Sequence, residues 1–433
     1  MNATQRGAVG CLGIIVFLAA CALITFVVLP GLNTAVAVPV IMVPGEPYDP
    51  SLPVESFRWT NTLTATALAS IAVIVFTLLA WRASRGWTRE VPTRFQSWVE
   101  LLGGFMYDFS KNMAGHRARM VFPLVATIFV FLLATNWMKL LPGIESVGVM
   151  HCAEEGFTGY PAVQAGGAFQ LYVDQPLYAG QGATEADYEA CNEFFHHGNV
   201  HLPAAEEREA VADDLRDAEA LLIEDLDAQG VDEATRLERV NELRLSYTEQ
   251  LYHSPAFTLT SDQIREGAMP YNFIVTPYVR GASTDLNLTI GLALVSVVAI
   301  QVFGVMAQGP NYFQKFFNLR ALGNAKEKPL GVIDVVVGLF EIISEIGKIV
   351  SLAFRLFGNM FAGGILLIVM SFLVAAIVPM VFYGLEIIIT TIQAFVFAVL
   401  TLVFAAQAME GHHDDGEHHE EAHGEQPIER THI

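Results

Sequence analysis

Charge is what this sequence has least of. Only 16% of its 433 residues are Asp, Glu, Lys or Arg, against roughly 25% in a soluble globular domain. No charge at all occurs from Gly7 to Gly45, Met120 to Met138, Leu286 to Gln314, Leu356 to Leu385 or Ile387 to Met409. Each run matches or exceeds the roughly 17–25 residues that cross about 30 Å of hydrocarbon. One such run could be the buried helix of a soluble enzyme; five exclude that class. Basic residues are also few, 24 against 45 acidic, for a net charge of −21. The acidity is local. Residues 151–270 hold 24 acids and 6 bases, the tail 410–433 holds 8 and 1, and the remainder is slightly basic. It belongs to two soluble segments and gives no sign of a nucleic-acid partner. There are four cysteines. Cys11 and Cys21 sit in the first apolar run as small apolar fillers. Cys152 and Cys191 share the acidic stretch and can pair if it faces an oxidising compartment.

The chain divides at its changes of composition. Residues 1–58 hold a first span at 8–30, and Ala35-Val36-Ala37 also allows a cleaved signal peptide. Residues 59–145 hold two further spans, Leu63–Trp81 and Met120–Trp137. Between them lie Arg82, Arg85, Arg89 and Arg94, a basic cluster expected on the cytoplasmic side. An amphipathic helix follows it, with Phe95, Val99, Leu102 and Met106 apolar, expected along the membrane surface. Residues 146–270 form an acidic insertion, expected outside. There Val211, Leu215, Leu222 and Leu226, then Leu237, Val240 and Leu251, recur at helical spacing around a break at Gln229-Gly230. This pattern predicts a helical hairpin. Residues 271–409 carry the last spans, and 410–433 an acidic tail with His412, His413, His418, His419 and His423. The tail reads as a solvated segment, with metal binding the alternative. The whole predicts an all-α integral membrane protein: five or six transmembrane helices, a long tilted C-terminal helical hairpin and an external helical insertion. Nothing in it calls for a cofactor or a resident metal.

Chemistry concentrates where proline is absent. From Gly331 to Phe372 no proline interrupts the chain, and one helix of that length would extend roughly 60 Å. It must tilt strongly or leave the hydrocarbon. Glu341, Glu345, Lys348, Arg355 and Asn359 fall on one stripe at about 100° per residue, flanked by Ser344 and Ser351. The last helix offers Glu386, Thr390 and Gln393 on one face. Ionisable groups in such surroundings line a path or face a partner, although Glu341, Glu345 and Lys348 could simply pair locally. Arg355 has no strong counter-ion nearby in its own helix, so a carboxylate is expected elsewhere, at Glu386 or on another subunit. An arginine attracts a carboxylate without releasing its own proton, since its pKa exceeds about 12. Between two water-filled half-paths it would discharge a passing acid and block leakage.

The run Ser351-Leu352-Ala353-Phe354-Arg355-Leu356-Phe357-Gly358-Asn359-Met360-Phe361-Ala362-Gly363 resembles the arginine motif of subunit a of F-type ATP synthases. Val91-Pro92-Thr93-Arg94-Phe95-Gln96 with Glu100, Asn136 through Leu141-Pro142, Asp285-Leu286-Asn287-Leu288-Thr289 and Thr391-Ile392-Gln393-Ala394-Phe395-Val396-Phe397 resemble further stretches of that family, in the same order. The resemblance implies a non-catalytic, proton-translocating membrane subunit. Arg355 would engage the carboxylate of a rotating c-subunit ring. Asn359, Glu386 and Gln393 would line the half-channel from outside; Glu341, Ser344 and Ser351 would line the one to the cytoplasm, and Glu345 and Asp285 would join the path. It also implies b-type peripheral stalk subunits and the F1 sector as partners and a bacterial plasma membrane; alternation of the spans from the cytoplasmic basic cluster puts the C-terminus in the cytoplasm. Two positions depart from many bacterial members, which carry glutamate nine residues after the arginine and histidine in the final helix. Here these are Gly364 and Glu386, as if the carboxylate had changed helices into room left by the glycine. A secondary transporter would be expected to show an internal repeat of broken helices, which the sequence does not. A membrane sensor would explain the insertion but not the polar stripe.

Overall fold

The computed structural model describes residues 43–48, 57–87, 91–141, 143–173, 180–196, 199–200, 202–316, 331–374 and 377–410, and four isolated positions before them. Apart from those four positions the first span at 8–30 lies outside the described residues, as do residues 317–330 and the His-rich tail. Among the described residues, five stretches are long and apolar enough to cross a membrane: Asn61–Ser84, Arg94–Met138, Leu286–Lys315, Val337–Leu373 and Val378–Met409. We label their helices α1 (Asn61–Ser84), α2 (Arg94–Ala114), α3 (Ala118–Met138), α8 (Leu286–Gln308), α9 (Gly331–Leu373) and α10 (Ile377–Met409); α4 to α7 belong to the insertion. Lipid explains the surface. On α1, Leu68, Ile71, Ile74, Leu78 and Leu79 are exposed, a face that only hydrocarbon would cover.

Local chemistry sets the helix ends. Thr93 caps α2 by accepting from the Gln96 backbone N–H, satisfying one of the donors a helix start leaves open. Gly115 ends it at φ +57°, a conformation natural to glycine. A short 3₁₀ turn, Gly115–Arg117, then leads into α3. The amphipathic α2 buries Met106 yet exposes Trp98 and Leu101, so its apolar residues are divided between protein and surroundings. The Phe395 ring on α10 lies 5.6 Å from both Phe105 and Phe109 of α2 and 6.2 Å from Phe129 of α3.

The insertion has a core of its own and a sheet that the sequence did not announce. Strands β1 (Gly148–Cys152), β2 (Thr158–Ala165), β3 (Ala168–Leu171), β4 (Gln181–Gly182) and β7 (Ala268–Pro277) form a five-stranded sheet in the order β1-β7-β2-β3, with β4 on β2. All pairings are antiparallel. Strands β5 (Phe195–His196) and β6 (Asn199–Val200) pair separately. Helices α4 (Glu185–Phe194), α5 (Ala205–Gln229), α6 (Glu233–Leu251) and α7 (Ser261–Glu266) complete it. α5 stops at Gly230 in the left-handed conformation, and Asp232 caps α6 by accepting from Thr235. These hydrogen bonds hold the Asp232 carboxyl below its ordinary pKa.

Val211, Leu215, Tyr252, Leu259, Ile264, Tyr271 and Phe273 pack with Cys152 and Cys191 in one cluster. Burial pushes the Tyr252 and Tyr271 hydroxyls up to about 12. Each is satisfied by a backbone carbonyl, of Ala268 and His253 respectively, at 2.9 Å. Cys152 and Cys191 form a disulfide that ties β1 to α4. Closing a loop over 39 positions is worth about 2–4 kcal/mol. Cys152→Ser should therefore make the insertion measurably more sensitive to limited proteolysis, as should reduction; unchanged protection would deny the bond that role.

Candidate ion-path residues

The described residues group into two units, and α1, α3, α8, α9 and α10 each contribute to both. In the unit made of 1–78, 130–289 and 354–394, the centre is a buried ion pair. Lys139, just past the end of α3, places Nζ 2.6 Å from Glu386 Oε1 on α10, with both side chains under 5% exposed. The same ammonium donates to the Met360 carbonyl of α9 at 3.2 Å. The two charges need each other, since either alone would be an uncompensated ion out of water.

A hydrogen-bonded frame fixes this pair. Asn136 donates to the Thr390 carbonyl at 3.3 Å and accepts from Ser283 at 2.7 Å. Trp137 donates to Thr391 at 3.0 Å. The end of α3 is thus fastened to α10 within one turn of Glu386. Room for the carboxylate comes from Gly363: a Cβ there would overlap both Glu386 oxygens, whereas one on Gly364 would meet nothing. The glycine that admits Glu386 is therefore the one before the position inferred from sequence. About two turns beyond Glu386 on α10, Gln393 Oε1 accepts from Asn359 Nδ2 at 2.5 Å. Gln393 is buried, and its Nε2 has no partner among the described residues. Arg355, four residues before Asn359, is exposed.

Beside the pair lies a cavity of about 880 Å³ whose wall includes Lys139, Glu46, Glu145, Arg280, Tyr383 and Gly364. Arg280 and Glu46 approach to 3.5 Å, and Glu145 accepts from the Gly281 N–H at 2.8 Å. Asp285 lies elsewhere in the same unit. Its carboxylate accepts from Thr62 Oγ1 at 2.7 Å, Gly45 N at 3.2 Å and Asn287 N at 2.9 Å, which caps α8 and fastens it to the start of α1.

The unit made of 79–129, 290–353 and 395–433 holds the other half of the stripe. Lys315 reaches Glu341 at 2.5 Å and Glu345 at 3.1 Å, and Lys348 reaches Glu345 at 2.8 Å. Gln301 donates to Glu345 at 2.9 Å and accepts from the Tyr312 hydroxyl at 2.6 Å. The Lys348 ammonium also lies 5.2 Å from the Phe404 ring centroid. Ser344 and Ser351 are exposed on α9. Local pairing thus accounts for Lys348 with Glu345. The compensation of Glu341 comes from Lys315 in the 3₁₀ turn Gly309–Lys315.

Sequence reasoning passed over the two lysines that organise these clusters. Lys139 ends one charge-free run and Lys315 another. A cation at the border of an apolar span is the nearest available counter-charge for an acid inside it, and that was the usable signal. Glu386, offered from sequence as a counter-ion for Arg355, has one oxygen occupied by Lys139.

A family model described as ATP synthase A chain matches residues 63–173 and 257–406, more than half of the chain. The matched stretches contain Lys139, Asp285, every polar residue of the α9 stripe, Glu386 and Gln393. Removing one member of a buried ion pair costs about 3–5 kcal/mol, whereas an apolar replacement of both can be neutral. Lys139→Met should therefore lower the thermal stability of the purified assembly sharply, and Lys139→Met with Glu386→Leu should recover most of the loss. Additive losses in that cycle would contradict the pairing.

Proposed function

The chain belongs to the ATP synthase A chain family; as subunit a of an F-type enzyme's membrane sector, we propose, it guides protons along two half-channels to a rotating ring of c subunits. It is a multi-pass membrane protein and, by family, a non-catalytic subunit within the synthase complex. The observation that carries the finer reading is the buried Lys139–Glu386 pair. It stands beside a cavity whose wall carries several charged groups, and about two turns from Gln393. Membrane-embedded charges are costly and are retained where they serve a path.

In this reading the outer half-channel runs through the cavity to Lys139 and Glu386, then to Gln393 and Asn359. Ser344, Ser351, Glu341 and Glu345 belong to the inner one. Arg355 meets the ring carboxylate. Its exposure on α9 supports a partner on another subunit, and its permanent charge suits it to expel a proton without carrying one. Each charge that crosses gains about 2.3 kcal/mol per 100 mV, so several crossings must accumulate for one ATP in the F1 sector. The c ring, b-type stalk subunits and F1 are the implied partners, in a bacterial plasma membrane with the tail 410–433 cytoplasmic. The disulfide supports an outside position for the acidic insertion, since such bonds persist in oxidising compartments. Asp285 serves this path as a strut rather than a carrier.

Arg355→Ala should abolish ion-driven ATP synthesis in vesicles while leaving the chain inserted and assembled with the ring; normal synthesis would sink the mechanism. Glu386→Gln should slow proton conduction through the membrane sector. An unchanged rate would remove Glu386 from the path.

A further inference from the structure

We propose that Lys139 makes the outer route selective for protons over sodium ions, by occupying the position from which a metal cation would have to approach Glu386. The inference rests on the reading that Glu386 lies on the ion path, and it names what that site excludes and how.

Three observations support it. First, the cavity wall includes Lys139 but not Glu386, so an ion leaving the cavity meets an ammonium before it meets the carboxylate. Second, the carboxylate has little free surface. Oε1 takes the Lys139 Nζ at 2.6 Å, and both oxygens pack so closely over Gly363 that a Cβ would overlap them. Third, the ammonium has a second acceptor, the Met360 carbonyl at 3.2 Å.

Hard metal cations need several oxygen ligands around them. Here a sodium ion would compete with a fixed positive charge for one oxygen and find the other packed against Gly363. Of the other charged groups on the cavity wall, Arg280 and Glu46 offset each other, while Glu145 accepts from the Gly281 N–H and remains an anion on the same wall as Lys139. A proton requires no ligand shell. Delivered from cavity water, it forms an O–H bond on Glu386 and neutralises it. Lys139 stays protonated, gives up its bond to Oε1, keeps the one to Met360 and has the Glu145 carboxylate on the same cavity wall as counter-charge. Loss of the proton onward restores the carboxylate and the ion pair. No ion other than the proton is bound or released.

The test uses the assembled synthase in lipid vesicles, with ATP-driven proton pumping and gradient-driven ATP synthesis followed in sodium, potassium or choline chloride. The unaltered complex should be indifferent to the choice of cation and should make no ATP from a sodium gradient alone. Lys139→Gln should lose part of its proton flux and become inhibited by sodium relative to potassium. Lys139→Arg should restore indifference, which a purely structural counter-ion role would not require. If Lys139→Gln does not assemble, Lys139→His replaces it, and sodium inhibition should grow as pH rises and the imidazole loses its charge. ATP made from a sodium gradient by the unaltered complex, or neutral variants that remain indifferent to sodium, would overturn the selectivity. Normal proton flux in Glu386→Gln would instead overturn the underlying path.

Discussion

A charge placed among apolar helices must find compensation within a few ångströms, because hydrocarbon supplies none. That constraint organises both polar clusters of this protein. Lys139 and Glu386 satisfy it as a single pair with almost no exposure. Glu341, Glu345, Lys315 and Lys348 satisfy it as a four-member network, extended by the Gln301 amide and the Tyr312 hydroxyl. The two solutions differ in consequence. A lone pair has one contact to break, so any proton that neutralises Glu386 changes the whole cluster. A network redistributes the same disturbance over several hydrogen bonds.

Much of the remaining architecture serves to hold the pair in register. Asn136, Ser283, Trp137, Thr390 and Thr391 join three segments far apart in sequence, and none of them is charged. Neutral hydrogen bonds suit this task because they impose geometry without adding an ion that would itself need a partner. Gly363 contributes by lacking a side chain. Asp285, with Thr62 and the Gly45 N–H, anchors the start of α8 in the same unit.

The long spans were legible because length and the absence of charge are themselves the physical requirement for crossing a bilayer. So was the Glu341 to Asn359 stripe, since helical period needs only local sequence. The helices α5 and α6 were legible too, with Gly230 marking the break. The sheet was hidden for definite reasons. Strands β1 and β2 pair with β7 across more than a hundred residues, so no local window contains both partners. β7 is buried along most of its length and so lacks the alternation of a half-exposed strand. Pro161 and Pro270, inside β2 and β7, argue against strands at the sequence level. Lys139 was missed because its partner lies 247 positions away; the pairing belongs to tertiary structure alone. The confusion of Gly364 with Gly363 has the same origin, since one residue on a helix turns about 100° and only coordinates settle which glycine faces Glu386.

Arg355 differs from every other charge on the stripe in what surrounds it. Along α9 it comes ten residues after Glu345 and four before Asn359, between a cluster closed by Lys315 and a side chain bonded to Gln393. Those neighbours are buried or half-buried within their own units, or joined across to α10. Arg355 is exposed. A guanidinium suits a carboxylate in planar, bidentate reach, which fits the proposed partner on another subunit. The acids and lysines of the inner clusters are compensated by one another. The five polar residues at helical spacing therefore divide: Glu341, Glu345 and Lys348 join Lys315 in one cluster, Asn359 bonds to Gln393, and Arg355 is exposed.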